Sequence, residues 1–330
     1  MNASQNPLWQ TLEEKWIQNQ YHLELLLGVG GFGAVFRASD VVADRLARQV
    51  AVKLISIQDL DRQWGELQTA LEVNHPNLLR CYTVGRTTIE GVAGDFIFLV
   101  VELASESLEQ HQGGGIIKPS KLAPIVMDVA AGLTALHKEN RVHRDLKPGN
   151  VLRVGNQWKI GDFGIARQLS VKATHQSTSN STGSLGFVPP EAYQGQVSTA
   201  WDMLSLGIMV VYALTHELPY RYTTTQELHR QITNCQLRIP NLPTPFAEVV
   251  AGCLQCDRQD RWTAQQVLSV LNSSCHASNQ AAVPSTNRKL PSLGRVPKGV
   301  SRRWFLGTLA LGGVAAAVGY GSPETINTIR

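Results

Sequence analysis

The chain has 330 residues, a formal net charge of +4, 43% hydrophobic and 17% charged residues. That length exceeds one ordinary domain, no tandem repeat or heptad array is present, and so mild a charge, without a basic stripe interleaved with aromatics, gives no reason to expect nucleic acid as a partner. The five cysteines, Cys81, Cys235, Cys253, Cys256 and Cys275, are scattered and odd in number, which argues against a disulfide framework and for a reducing compartment.

Residues 1–20 are polar and carry no signal peptide. From 21 to 103 the chain is rich in short β-like runs, with one helical stretch near 62–73. The first run ends in LGVGGFGAV, where Gly28, Gly30 and Gly33 let backbone N–H groups approach phosphates. A dinucleotide-binding fold would need a helix next and an acid about twenty residues on; a strand-like AVF and Lys53 stand there instead. A Walker P-loop is excluded by Ala34 in place of its lysine. FIFLVVELASESL, 96–108, is an apolar strand running into a polar stretch. Helical spacing of apolar residues then recurs over 119–138, 198–217 and 244–272. Cys253 and Cys256 form a CxxC without a second ligand pair, which reads as two small apolar residues on a helix rather than as a zinc site.

Between His143 and Gly164 the chain reads HRDLKPGN and then DFG. Phosphoryl transfer needs the acceptor hydroxyl aligned, the γ-phosphate charge neutralised and Mg²⁺ held against nucleotide oxygens. Asp145 suits the hydroxyl proton, Lys147 the γ-phosphate, and Asn150 with Asp162 supplies oxygen ligands for a hard cation.

These motifs, in this order, resemble the eukaryotic-type (Hanks-type) serine/threonine protein kinase family over roughly residues 21 to 272. The resemblance implies an α+β, bilobal protein kinase fold, with a β-rich N-lobe at 21–103, a helical C-lobe at 104–272, and ATP with Mg²⁺ (or Mn²⁺) in the cleft. Leu27, Gly28, Gly30, Gly31, Phe32, Gly33 and Val35 would cover the nucleotide, with Ala51, Val35 and Leu152 around adenine. Val101 would be the gatekeeper, and Glu102 to Ala104, Leu103 included, would offer backbone groups. Lys53 would bind phosphates, held by Glu66, which precedes HPN at the family's spacing; Glu72 sits too close to that loop. Glu191 of PPE, where the family has APE, would pair with Arg261; Asp202 would brace the catalytic loop. Lys147 marks the serine/threonine type, as does Ser184, which stands where the family contacts that loop. The run HQSTSNSTGS and the Thr174 that precedes it offer phosphorylation sites, with Thr174, Thr178 and Thr182 as candidates and Arg144 as the pairing residue. A pseudokinase-like, nucleotide-binding scaffold is the alternative function; it would show degradation at Lys53, Asp145, Asn150 or Asp162, and none is degraded.

Residues 273–303 read as a Ser-, Asn- and Pro-rich linker. Trp304 to Tyr320 carries no charge, and as a helix it spans roughly 25 Å, adequate for a membrane if flanking residues snorkel. Lys298, Arg302 and Arg303 on one side predict a cytoplasmic kinase domain and a short tail, 321–330, across the membrane. In SRRWFL a twin-arginine export signal is also legible, but a whole domain precedes it. Gly312 with Ala316 and Gly313 with Ala317 are small-xxx-small pairs that favour a homodimer. With this anchor, the resemblance is to bacterial membrane-anchored kinases, acting on protein substrates.

Overall fold

In the computed structural model, the structure describes residues 7–30, 33–56, 74–162 and 185–281. All lie in one compact unit that ends at Val283; a second unit, Pro284–Arg330, falls outside them. Gly31, Phe32, the stretch 57–73 with Glu66, the stretch 163–184 with Thr174, Thr178 and Thr182, and the charge-free run 304–320 are likewise outside the described residues. Among those described, no helix is long and apolar enough to cross a membrane.

A short helix, α1 (Pro7–Gln10), leads into an antiparallel sheet of β1 (Trp16–Ile17), β2 (Tyr21–Gly30), β3 (Gly33–Val42), β4 (Arg45–Ser56), β5 (Cys81–Ile89) and β6 (Val92–Glu102). The strand order is β1-β2-β3-β4-β6-β5. Period-two alternation divides β4 between two apolar clusters. Val50, Val52 and Leu54 join Trp9, Phe36 and Phe98 on one face, while Ile55 joins Ile97 and Leu99, with Val84 and Val101 against them, on the other. Lys53 shares the parity of Ile55, so this second face carries a cation beside apolar neighbours.

The chain then passes β7 (Glu106–Ser107) into α2 (Leu108–Gln112), which Ser107 and Gln110 close with a reciprocal capping box. Next is α3 (Pro119–Lys138), begun by a proline whose missing N–H costs nothing at the first position. A 3₁₀ turn, Pro148–Asn150, leads into β8 (Val151–Val154) and β9 (Gln157–Ile160), which with β7 form a small second sheet. Ile160 N–H donates to Asn77 at 2.9 Å and Leu79 N–H to Ile160 at 2.8 Å. These bonds fasten the strand before Asp162 to the segment that links the two regions.

After a second 3₁₀ turn, Pro190–Gln194, come α4 (Ala200–Thr215), α5 (Thr225–Thr233), α6 (Phe246–Cys253) and α7 (Ala264–Ala281). Helix α4 is buried from Trp201 through Val211, as a helix with apolar residues on every side must be, and it carries Asp202 and Ser205 into the core with it. Val129 and Leu133 of α3 and Val249 and Val250 of α6 share its core, to which α7, packed on α3, adds Val267 and Leu271. Each fully buried aliphatic of this kind contributes about 1.5–3 kcal/mol relative to exposure.

Two expectations need correction. The helical spacing over 244–272 is two helices: beyond Cys253 the backbone turns, with Asp257 Oδ1 accepting from Gln259 N–H at 2.9 Å, a local bond that competes with helix continuation. Cys253 and Cys256 are therefore not neighbours on one helix. Cys256 is disulfide-bonded to Cys235, with Cα atoms 5.8 Å apart, whereas Cys253 is a free, buried thiol whose desolvation pushes its pKa up to about 12. Scatter in sequence concealed a pair brought together by helix packing, and the argument for a thiol-keeping compartment falls with it.

Close approach at Gly132 fixes how α3 meets the linking segment. A Cβ there would lie 2.8 Å from the Asn77 carbonyl oxygen and 3.0 Å from Ile160 Cδ1. Gly132→Ala is expected to lower unfolding stability by about 1–3 kcal/mol, measured by urea denaturation, even though alanine is the better helix former.

Candidate active site

The turn after α3 is organised by a carboxylate from a different helix. Asp202, with no exposed surface, accepts from the backbone N–H of His143 at 2.9 Å and of Arg144 at 2.8 Å, and its Oδ2 lies 2.8 Å from His137 Nε2. A buried carboxylate satisfied by several donors costs little to bury and much to leave unpaired. Arg144 takes a positive φ of 66°, so this short stretch is bent sharply and held at its bend. His143 continues the chain of contacts, with its Nε2 2.7 Å from the Gly161 carbonyl oxygen.

Three predicted residues converge beyond that bend. Lys147 Nζ donates to Asp145 Oδ2 at 3.1 Å. Asn150 Nδ2 donates to the same Oδ2 at 3.0 Å and to the Asp145 carbonyl at 2.7 Å. Both amide hydrogens thus go to Asp145, which orients Asn150 and leaves its Oδ1 as an acceptor without a hydrogen-bond partner among the described residues. Gly161 N–H donates to the Asn150 carbonyl at 2.8 Å, placing the next residue, Asp162, beside this group. Asp162 adopts φ 57°, a conformation that aspartate tolerates, and pairs with Lys53 Nζ. Desolvation pushes its carboxyl up, but Lys53, with His143 and Lys147 further out, outweighs that and holds it below the ordinary aspartate value. It remains an anion at neutral pH.

Glycines of the β2–β3 hairpin divide into two kinds. A Cβ on Gly28 would meet nothing within 4 Å, and on Gly30 only an atom at 3.9 Å, whereas on Gly33 it would lie 1.9 Å from the Leu54 carbonyl oxygen. Open backbone at the first two suits close approach by phosphates; Gly33 is required by the packing of β3 on β4. Leu27 is exposed beside them. Val35 and Ala51 follow on the paired strands, Ala51 opposite Val101 of β6, and Leu152 lies on β8 with its Cδ1 toward Gly161.

Sequence reasoning missed the role of the Glu102 side chain. Its carboxylate accepts from Lys159 Nζ at 2.7 and 2.9 Å and from Arg80 N–H at 3.1 Å, and its own N–H donates to the Arg80 carbonyl at 3.0 Å. Glu102 therefore locks β6 to β9. His137 was missed too, since nothing in its helix signals a partner in α4. Arg261 and Glu191 meet as the resemblance implied: both terminal guanidinium nitrogens of Arg261 reach the carboxylate, at 2.5 and 3.0 Å. The Lys53–Glu66 pair and the Ser184 contact lie outside the described residues.

The two kinds of glycine give separable outcomes. Gly28→Ala and Gly30→Ala are expected to leave the melting temperature unchanged and weaken nucleotide binding, while Gly33→Ala lowers stability by about 1–3 kcal/mol or more; calorimetry with and without nucleotide distinguishes them.

Comparison with known proteins places this geometry. The family described as protein kinase domain matches residues 21–271. A Corynebacterium efficiens protein named serine/threonine-protein kinases drp72 is 30% identical over 325 residues, covering 90% of this chain and 61% of that protein. Serine/threonine-protein kinase PrkC of Bacillus subtilis is 30% identical over 217 residues, 62% of this chain and 32% of its own length. An Aurora kinase of Dictyostelium discoideum is 28% identical over 286 residues, 83% of this chain and 71% of that protein. The chain thus spans less than two thirds of several curated relatives, among them the two bacterial ones. With the catalytic turn, the paired lysine and the open glycine hairpin all inside the matched region, the chain belongs to the protein kinase family, with bacterial serine/threonine kinases among its relatives.

Proposed function

We propose that this chain transfers the γ-phosphoryl group of ATP to serine or threonine hydroxyls of proteins. The observation that carries this is the single hydrogen-bonded group in which Asp145 is held by Lys147 and Asn150 while Asp162 stands one residue beyond the Gly161–Asn150 bond.

An acceptor hydroxyl placed on Asp145 gives up its proton to that carboxylate as the phosphorus is attacked. Lys147, already on Asp145, neutralises charge on the transferring group, and Lys53 does so on the remaining phosphates. Asn150 Oδ1 and the Asp162 carboxylate are hard oxygen donors and fit Mg²⁺, which family members use; Mn²⁺ suits the same donors. When bound, the cation neutralises phosphate oxygens. Lys53, paired with Asp162, would share its charge with the phosphates, and the amide of Asn150 is oriented beforehand by Asp145. Ala51, Val35 and Leu152 would offer apolar surface to adenine, with Val101 opposite Ala51 on the neighbouring strand.

The same reading extends to regulation and location. Phosphorylation at Thr174, Thr178 or Thr182, received by Arg144, would order the segment before Glu191. Residues 304–320 would anchor the kinase to a membrane with its catalytic region on the cytoplasmic side, as the Lys298, Arg302 and Arg303 cluster favours, and small-xxx-small pairs would favour a homodimer. Hydropathy and charge asymmetry support this part.

Incubating the full chain with labelled ATP, Mg²⁺ and a generic basic protein acceptor is expected to place label on serine or threonine. Asp145→Asn should reduce transfer by roughly 10²–10⁴-fold with nucleotide binding retained. Binding without transfer in the unaltered chain would instead indicate a nucleotide-binding scaffold.

A further inference from the structure

The Cys235–Cys256 disulfide lies away from the nucleotide cleft, and its two halves belong to elements that both grip the 3₁₀ turn Pro190–Gln194. On one side, Cys235 follows α5, whose His229 ring meets Tyr193 of the turn edge-on, with centroids 4.3 Å apart. On the other, Cys256 opens the loop that carries Arg261. That guanidinium, with a fully buried side chain, donates to Glu191 of the turn and to the carbonyls of Gln255 at 2.8 Å, Cys256 at 3.3 Å and Ala200 at 3.1 Å. The backbone that receives Arg261 is therefore the backbone that the disulfide ties to α5. Turn, helix, disulfide and loop thus form a closed cycle of contacts that runs through Tyr193 and Glu191.

Accessibility separates this pair from the other described cysteines. Cys256 is exposed and Cys235 half-buried, whereas burial makes Cys253 unreactive, and pushes the Cys81 thiol up to about 11. We propose that Cys235–Cys256 is a redox-controlled clamp: oxidised, it holds the Glu191 turn in its docked position; reduced, it releases α5 from the Arg261 loop and lowers transfer to protein substrates. A dithiol reductant supplies the chemistry. Its thiolate attacks the exposed Cys256 sulfur, forms a mixed disulfide and expels the Cys235 thiolate; its second thiol then resolves the mixed disulfide. Two electrons and two protons pass to the protein, which ends with two thiols, and the reductant ends as a disulfide. A disulfide-bearing oxidant reverses the exchange.

The test uses the full chain, isolated with free thiols blocked, before and after treatment with dithiothreitol. Thiols are mapped by differential alkylation, turnover is measured on a basic protein acceptor, and protease cleavage is followed over 185–196. Reduction is expected to lower turnover about three- to tenfold and to speed that cleavage while nucleotide affinity stays unchanged, since the change is in positioning. Cys235→Ser and Cys256→Ser should show the reduced behaviour with or without reductant; should either fail to fold, reduced and alkylated unsubstituted protein serves in its place. The proposal is overturned if the disulfide is absent from the isolated protein, or if full reduction changes neither turnover nor cleavage. If neither redox state transfers phosphate, the kinase reading fails, and cleavage rates alone decide for or against the clamp.

Discussion

A buried carboxylate with no exposed surface is the constraint on which the site depends. Asp202 enters the core on a largely apolar helix, and the energy of its burial is offset by two backbone N–H groups and an imidazole. Those two N–H groups belong to the bend that begins the catalytic turn. From that bend the order of bonds runs outward: His143 to the Gly161 carbonyl, Gly161 to Asn150, Asn150 and Lys147 to Asp145. The reactive groups rest on loops, yet each loop is fixed to the core by hydrogen bonds whose loss would strand a buried polar atom.

A second buried pair does for the far end of the site what Asp202 does for its centre. Arg261 and Glu191 join the loop between α6 and α7 to the turn at 190–194, and the removal of one partner from such a pair is costly because the other keeps its charge without water. The break between the two helices has a purpose in this arrangement: a continuous helix over 244–272 would carry Arg261 along its axis instead of into the turn. Close packing demands the same economy from small residues. Gly252 leaves room for the Trp262 ring, where a Cβ would fall 2.1 Å away.

Much of this was legible from the chain itself. The spacing of HRDLKPGN and DFG pointed to Asp145, Lys147, Asn150 and Asp162, of which the fold hydrogen-bonds the first three together and pairs the fourth with Lys53. What stayed hidden were long-range polar contacts. Glu102 with Lys159, His137 with Asp202, and Cys235 with Cys256 are joined across 57, 65 and 21 positions, and nothing local to either partner announces the other. The cysteines mislead for the same reason, since spacing alone suggested Cys253 and Cys256 as the pair to weigh. Burial separates them in the fold: one lies under α4 and the other reaches solvent.

The most direct test of this account compares Asp202→Asn with the unaltered chain, measuring transfer rate and nucleotide affinity in the same preparation. An amide of the same shape keeps one acceptor oxygen and loses the charge, so the catalytic turn should loosen while the nucleotide cleft, built largely from the strands, is spared. The account predicts a fall in kcat of about tenfold or more with nucleotide affinity little changed. An unchanged kcat in a folded Asp202→Asn protein would show that the turn holds its geometry without this carboxylate, and would contradict the account.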